Sequence, residues 1–371
     1  MVIYFIILLI VLIFPCRKGI LGQENGRLRR GSIALNGSHL YVTGVLLLMV
    51  FMAGLRDYTI GIDLKHHYYT DFKRYAQQPW SDISEFGLEW GLFALSKLIG
   101  MISVEGQLYI FVTSLIPFYL TIRFFYRHSS DFKLSVALFI MYCMMYQYMN
   151  QIAQSIALSI ILLGYDYLKR DKKIAFIVCI ILAMSFHTTA LFCALFLLIQ
   201  KLRITRKTTI LFTVATIAFI ALYNTIFALG SILLPEYGWY IDSIKHGVGD
   251  TGLGVMIRIG LLGAAVAWAL YLAIYKKDFA LNQGTDFKIY MAYLAFIFQI
   301  ITTQMIVMNR IGQYVLPFVL VLIPDCISSA GRYKKIVRLG IYIGMFLYFT
   351  YITVQWAEIS YGVVPYKMFE A

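Results

Sequence analysis

Arg56 and Asp63 stand seven residues apart in Gly54-Leu55-Arg56-Asp57-Tyr58-Thr59-Ile60-Gly61-Ile62-Asp63, directly after an apolar run that ends at Leu55. An arginine just past a membrane helix can hold a lipid phosphate through its planar fork of donors, and a carboxylate a few residues on can take a proton from an incoming hydroxyl. The same residues also fit an interfacial anchor, in which Arg56 reaches for headgroups and Tyr58, Tyr68 and Tyr69 form an aromatic belt.

Other polar residues stand out because their surroundings are apolar. Arg258 lies about a turn inside Gly254-Val255-Met256-Ile257-Arg258-Ile259-Gly260, where an arginine costs roughly 2.5–3.5 kcal/mol at a membrane helix centre, so it calls for a carboxylate partner or a bound anion. Arg310 falls in a turn with Asn309, Gln313 and Tyr314, a polar set that suits a lined cavity. His187, in Ser185-Phe186-His187-Thr188-Thr189, is either a hydrogen-bonded structural residue or a base. Glu89 sits among Leu88, Trp90 and Gly91, where burial would raise its pKa and make it a proton acceptor or an arginine partner. Asn150, Gln151 and Gln154 place amides at the start of a helix, able to bind sugar hydroxyls or to satisfy one another across helices.

These residues need a scaffold that presents them together, and composition says which kind. Of 371 residues 60% are hydrophobic and 14% charged, in apolar runs that repeatedly reach or approach the roughly 20 residues a bilayer crossing needs. The expected fold is an all-α polytopic membrane protein of about 12–14 transmembrane or re-entrant helices in one domain, 1–371. Residues 1–14 have the apolar core of a signal peptide without its basic start or cleavage site, and read as a retained first helix.

The net charge of +13 does not point to nucleic acid, because the basic residues come in short clusters between apolar runs. Clusters at 17–30, 169–173, 201–207, 276–288 and 332–338, with Arg123, Arg127 and Lys133, hold 23 of the 32 lysines and arginines and mark one side as cytoplasmic. Alternation then fails at 87–103, which carries Glu89, Gly91, Lys97 and Gly100 and is expected to lie in the interface or re-enter. The outer side receives the loop 56–86, with an amphipathic segment, and the loop 231–252. Arg56, Asp63, Glu89, Asn150, Gln151, Gln154, His187, Arg258 and Arg310 all fall at outer helix ends. The five cysteines lie in apolar runs or inner loops, so no disulfide framework is expected. No Asp-x-Asp pair and no His-Glu-x-x-His occurs, so no metal site or cofactor is signalled.

The chain resembles the EpsG family of bacterial exopolysaccharide polymerases, related in role to Wzy-type O-antigen polymerases. The resemblance is carried by Arg56…Gly61-Ile62-Asp63…Tyr69, Glu89-Trp90-Gly91, Asn150-x-x-x-Gln154-x-x-Ala157, Phe186-His187, Arg310…Tyr314 and Pro365-Tyr366. It departs at Ala153-Gln154, where the family often has Arg-Gln. The resemblance implies a glycosyltransferase that joins polyprenyl-diphosphate-linked oligosaccharides at the outer face of the plasma membrane, in capsule, exopolysaccharide or O-antigen synthesis. It implies Arg56, Arg258 and Arg310 on diphosphate, Asp63 or His187 as base, Glu89 orienting an arginine or the acceptor, and Asn150, Gln151, Gln154, Tyr69 and Tyr314 on glycan. Implied partners are membrane lipids and a chain-length regulator and flippase of the same pathway. A lipid-linked oligosaccharide flippase is the competing reading, but its cavity needs polar residues reachable from both faces, whereas here they gather on one. An acyltransferase would need a polar track to a cytoplasmic donor, and none is visible.

The orientation is testable by labelling. A cysteine at Ser243 should react with a membrane-impermeant thiol reagent in intact spheroplasts, and one at Thr205, inside the 201–207 cluster, should not. Reversed labelling would invert the assignment.

Overall fold

The computed structural model describes residues 1–14, 37–233, 251–276, 284–306 and 308–370. Its described residues are 79% helical with no strands, and they form an all-α polytopic membrane protein. Among the described residues three helices are long and apolar enough to cross a bilayer: α5 (Gly106–His128), α12 (Leu253–Tyr275) and the last helix with its lead-in turn (Gly331–Gln355). A fourth span forms if α6 (Phe132–Met141) and α7 (Met144–Asn150), bent by 62°, count as one. Shorter apolar helices accompany them. The outer loop expected at 231–252 falls mostly outside the described residues; α11 runs Arg206–Leu233 and the chain is described again from 251.

Two compact units are present, Met1–Leu163 with Met345–Ala371, and Gly164–Gly344. The first contains α1 (Val2–Ile13), α2 (Gly37–Gly54), α3 (Tyr69–Gln77), α4 (Gly91–Gly100), α5, α6, α7, the start of α8 (Ile152–Leu168) and the end of α16 (Lys334–Gln355). Ten residues make α4 about 15 Å long, half a hydrocarbon core, in keeping with the interfacial or re-entrant placement expected of 87–103. The apolar run at 134–149 is broken. Cys143 adopts a left-handed conformation (φ 63°) between α6 and α7, an uncommon state for a residue with a Cβ. Every residue from Leu134 to Asn150 is buried, so the groups freed by the break lie inside protein, where a membrane helix tolerates interruption.

The first unit has two distinct ends. At one, Lys133 Nζ donates to the Phe14 carbonyl at 3.1 Å, and the His39 and Tyr126 rings lie 5.8 Å apart. At the other, Tyr4 Oη donates to Val363 O and Tyr366 Oη to Met52 O, each at 2.7 Å. The basic residues Arg127 and Lys133 lie at the first end, Arg56 and Asp63 at the second.

The second unit contains α9 (Lys173–Met184), a 3-10 stretch Thr188–Leu195, α10 (Phe196–Ile199), α11, α12, α13 (Thr285–Thr302), α14 (Met308–Gln313) and α15 (Leu316–Ser328). The apolar run at 189–200 is thus mostly 3-10 with one α turn. Helices α12 and α13 run side by side in opposite directions: Gly263 faces Phe296, whose ring a Cβ there would meet at 3.0 Å. Their basic end is tied by polar contacts. Lys288 pairs with Asp325 at 2.7 Å, Lys276 Nζ donates to Ser329 O at 2.8 Å, and Arg203 pairs with Asp286 at 3.4 Å. Pro317 in the first turn of α15 costs no hydrogen bond, because helix-start amides have no helical acceptor.

Candidate functional site

In the first unit the candidate site is built on Arg56, whose side chain is completely buried (0% exposed). The sequence suggested a residue at the membrane surface; the structure turns it inward instead. Its guanidinium donates to the carbonyls of Ala53, Ile60 (3.2 Å) and Met149 (3.0 Å) and to Ser114 Oγ (2.9 Å). These acceptors come from the end of α2, the following loop, the C-terminal turn of α7 and the middle of α5. Burial lowers its pKa to about 10, a shift opposed by the Tyr4, Tyr366 and Tyr109 hydroxyls, so it is a cation at neutral pH. Its fork is spent on protein oxygens, with no face open to a lipid phosphate.

The backbone around Arg56 is held as firmly. Residue 56 pairs with Met368 in an isolated antiparallel bridge, where Asp57 N–H donates to Lys367 O and Phe369 N–H to Leu55 O. Gly61 N–H donates to Gly362 O at 2.9 Å and Ile62 N–H to Tyr361 O at 3.3 Å. Gly61 needs to be glycine for two reasons: its φ is +106°, and a Cβ would lie 2.7 Å from the Met149 carbonyl oxygen. The C-terminal segment therefore frames the loop, a role hinted at only by the short Pro365-Tyr366 motif. Nothing in the sequence pointed to Ser114.

Asp63 ends this loop. It is half-buried, and its amide donates to Asn150 Oδ1 at 2.8 Å. Asn150 is itself buried, so its amide oxygen positions Asp63. Gln154 is buried and Gln151 half-buried on the same stretch. A π-helical turn, Leu64–Tyr68, follows Asp63 directly, an interruption found disproportionately at functional sites. Tyr69 is half-buried and stacks on Tyr58. Glu89 is exposed, against the burial expected from its apolar neighbours, because it lies in the connection between the 3-10 segment Trp80–Phe86 and α4.

In the second unit His187, Arg258, Arg310 and Tyr314 lie at the end opposite the basic one. His187 is half-buried and precedes the 3-10 stretch, and Thr189 Oγ1 lies 3.3 Å from the Oη of fully buried Tyr314. Arg310 is exposed in the short helix α14, not in a turn, and Gly312 beside it packs against Phe298 near the C-terminal end of α13. Arg258 is buried, with Nε donating to Gly254 O at 3.4 Å. It precedes Gly263 by five residues, about 7.5 Å along α12 toward the same end of α13. Two arginines, a histidine and a tyrosine thus share one end of this unit.

Replacing Arg56 tests its structural role. Lysine keeps the charge but offers one ammonium to four acceptors spread over four segments, so Arg56→Lys should lower the thermal unfolding temperature in detergent along with activity. Gly61→Ala should do the same, by more than about 1 kcal/mol, while Gly44→Ala, which meets nothing within 4 Å, should not. Loss of donor affinity in Arg56→Lys protein of unchanged stability would instead show a direct phosphate contact.

No curated protein and no solved structure matches the chain. A family model does, over residues 39–368, a span that takes in the Arg56–Asp63 loop, Asn150, His187, Arg258, Arg310 and the C-terminal segment that frames the loop; the chain belongs to the EpsG family.

Proposed function

We propose that this chain is a polysaccharide polymerase that joins polyprenyl-diphosphate-linked oligosaccharide repeat units at the outer face of the bacterial plasma membrane, without a metal. Membership of the EpsG family implies a polymerase-type role in polysaccharide synthesis. The observation that supports the finer reading is the polarity of both units: Arg127 and Lys133 lie at the end opposite Arg56 and Asp63 in the first, and Lys276 and Lys288 at the end opposite His187 and Arg310 in the second.

In the proposed reaction an acceptor hydroxyl oxygen bonds to the anomeric carbon of the donor glycan, and the bond from that carbon to the diphosphate oxygen breaks. The hydroxyl proton passes to a base, and the electron pair leaves with the lipid diphosphate. Arg258 and Arg310 are proposed to hold that leaving group, since guanidinium forks stabilise developing phosphate charge as a divalent cation does elsewhere. Asp63 is the first choice of base and His187 the second; such catalysis contributes about 10²–10⁴-fold. Glu89, exposed beside α4, would orient the acceptor, and half-buried Gln151 would contact glycan; Tyr314 is fully buried and the Tyr69 ring is covered by Tyr58 and Lys73, so neither is kept in that role. Arg56 and Asn150 serve the reaction by fixing the backbone that carries Asp63. Membrane lipids surround the protein, and a flippase and chain-length regulator would act before and after it; nucleic acid has no part.

Purified protein in detergent, given only lipid-linked repeat units and no nucleotide, should produce longer lipid-linked glycans, and chelator should have little effect. Detergent removes sidedness, so a flippase would give no product, and failure of folded protein on its cognate substrate would favour transport. Asp63→Asn should lower single-turnover rate by about 10²-fold or more while retaining donor binding. Normal turnover in Asp63→Asn with lost chemistry in His187→Ala would move the base to His187.

A further inference from the structure

We propose that the outer face of Tyr58 is the floor of a sugar subsite, on which a pyranose ring of the lipid-linked glycan stacks. The inference deepens the polymerase reading and rests on it. Tyr58 and Tyr69 stack with ring centroids 4.5 Å apart and planes 21° from parallel. Lys73 Nζ lies over the Tyr69 ring, 4.7 Å from its centroid. With one face against Tyr58 and a cation over the other, Tyr69 has no face left for a ligand. Tyr58 is 42% exposed, with Tyr69 covering one of its faces.

This platform is built in advance. The Tyr69 ring fills the space where Gly106 would carry a side chain, its Cε2 only 2.0 Å from an ideal Cβ there. On the other side, Asp57 Oδ1 accepts from the Thr59 amide (3.0 Å) and hydroxyl (2.5 Å), and Asp57 O accepts from Ile60 N–H (3.0 Å), which holds the chain on both sides of Tyr58. An aromatic ring fixed before binding loses little side-chain entropy when a ligand lands on it.

Surroundings decide what lands there. Exposed residues of the stretch that follows Tyr58 are polar: Lys65, His66, His67, Thr70, Lys73 and Arg74. Exposed apolar residues also occur nearby, at Met368 and Phe369 of the segment paired to residues 55–57, and farther along the chain at Trp80, Leu88 and Trp90. A braced aromatic ring followed by this polar run fits a sugar, which pairs one apolar C–H face with a rim of hydroxyls. Tyr58 also precedes Asp63 by five residues in the same braced loop, so the subsite would lie on the segment that carries the proposed base.

The test puts a reporter at the position. Tyr58→Trp protein, with wild-type fluorescence subtracted, is titrated with the oligosaccharide released from the lipid-linked repeat unit, and separately reconstituted into phosphatidylglycerol vesicles with brominated acyl chains. A saturable response to the oligosaccharide with little bromolipid quenching is expected. Bromolipid quenching without a sugar response would overturn the proposal and make Tyr58 a membrane anchor. In turnover assays Tyr58→Leu should raise KM for the repeat unit about five- to tenfold at unchanged kcat, and Tyr58→Phe should behave like wild type. An unchanged KM in Tyr58→Leu would also overturn it; should Tyr58→Leu misfold, the tryptophan titration decides alone. A sugar response in protein that never polymerises would retain the subsite and reject the polymerase.

Discussion

A cation with no exposed surface is tolerable only if protein oxygens replace the water it has lost. Arg56 meets that condition with three carbonyls and a hydroxyl, drawn from α2, the next loop, α5 and α7. No single helix could supply them, so burying this one charge requires four segments to converge. The convergence explains other local choices: glycine at 61, where Met149 O comes close; Asn150 bonded to the Asp63 amide; and the C-terminal segment paired alongside residues 55–62. Removing the guanidinium would leave buried carbonyls without donors, a cost larger than the interaction itself contributes.

The helical membrane class and the likeness to the EpsG family were legible in the sequence, because apolar run length and short motifs are local properties. The separation of Arg127 and Lys133 from Arg56 and Asp63, and of Lys276 and Lys288 from Arg310, follows from chain order, while the cluster at 17–30 lies outside the described residues. What was not legible depends on contacts distant in sequence. Arg56 reads as a surface arginine until α5 and α7 are placed around it, and Glu89 reads as buried until its stretch is seen to be a connection. The left-handed Cys143 that splits α6 from α7 has no local signal, because cysteine is not a residue that favours that conformation. Ser114 is one hydroxyl among many in apolar helices, and only its partner distinguishes it.

The contrast between Arg56 and Arg310 organises the functional reading. Arg56 is committed to protein oxygens and acts by position, whereas exposed Arg310 lies beside the segment that carries Tyr314 and its contact with Thr189. Asp63, the proposed base, lies half-buried on the braced loop, an environment in which a carboxylate keeps a route to a substrate proton without full solvation. A rigid loop suits such chemistry, because small misplacements of a catalytic group cost large factors in rate.

Hydrogen–deuterium exchange over residues 55–64, compared in wild-type and Arg56→Lys protein, addresses the organising role of Arg56 most directly. In the wild type the amides of Asp57, Gly61, Ile62 and Asp63 are all donated to protein acceptors and should exchange slowly. In Arg56→Lys they should exchange much faster while the helices far from the loop keep their protection. Unchanged protection in the loop, with polymerisation lost, would contradict this and return Arg56 to direct contact with substrate.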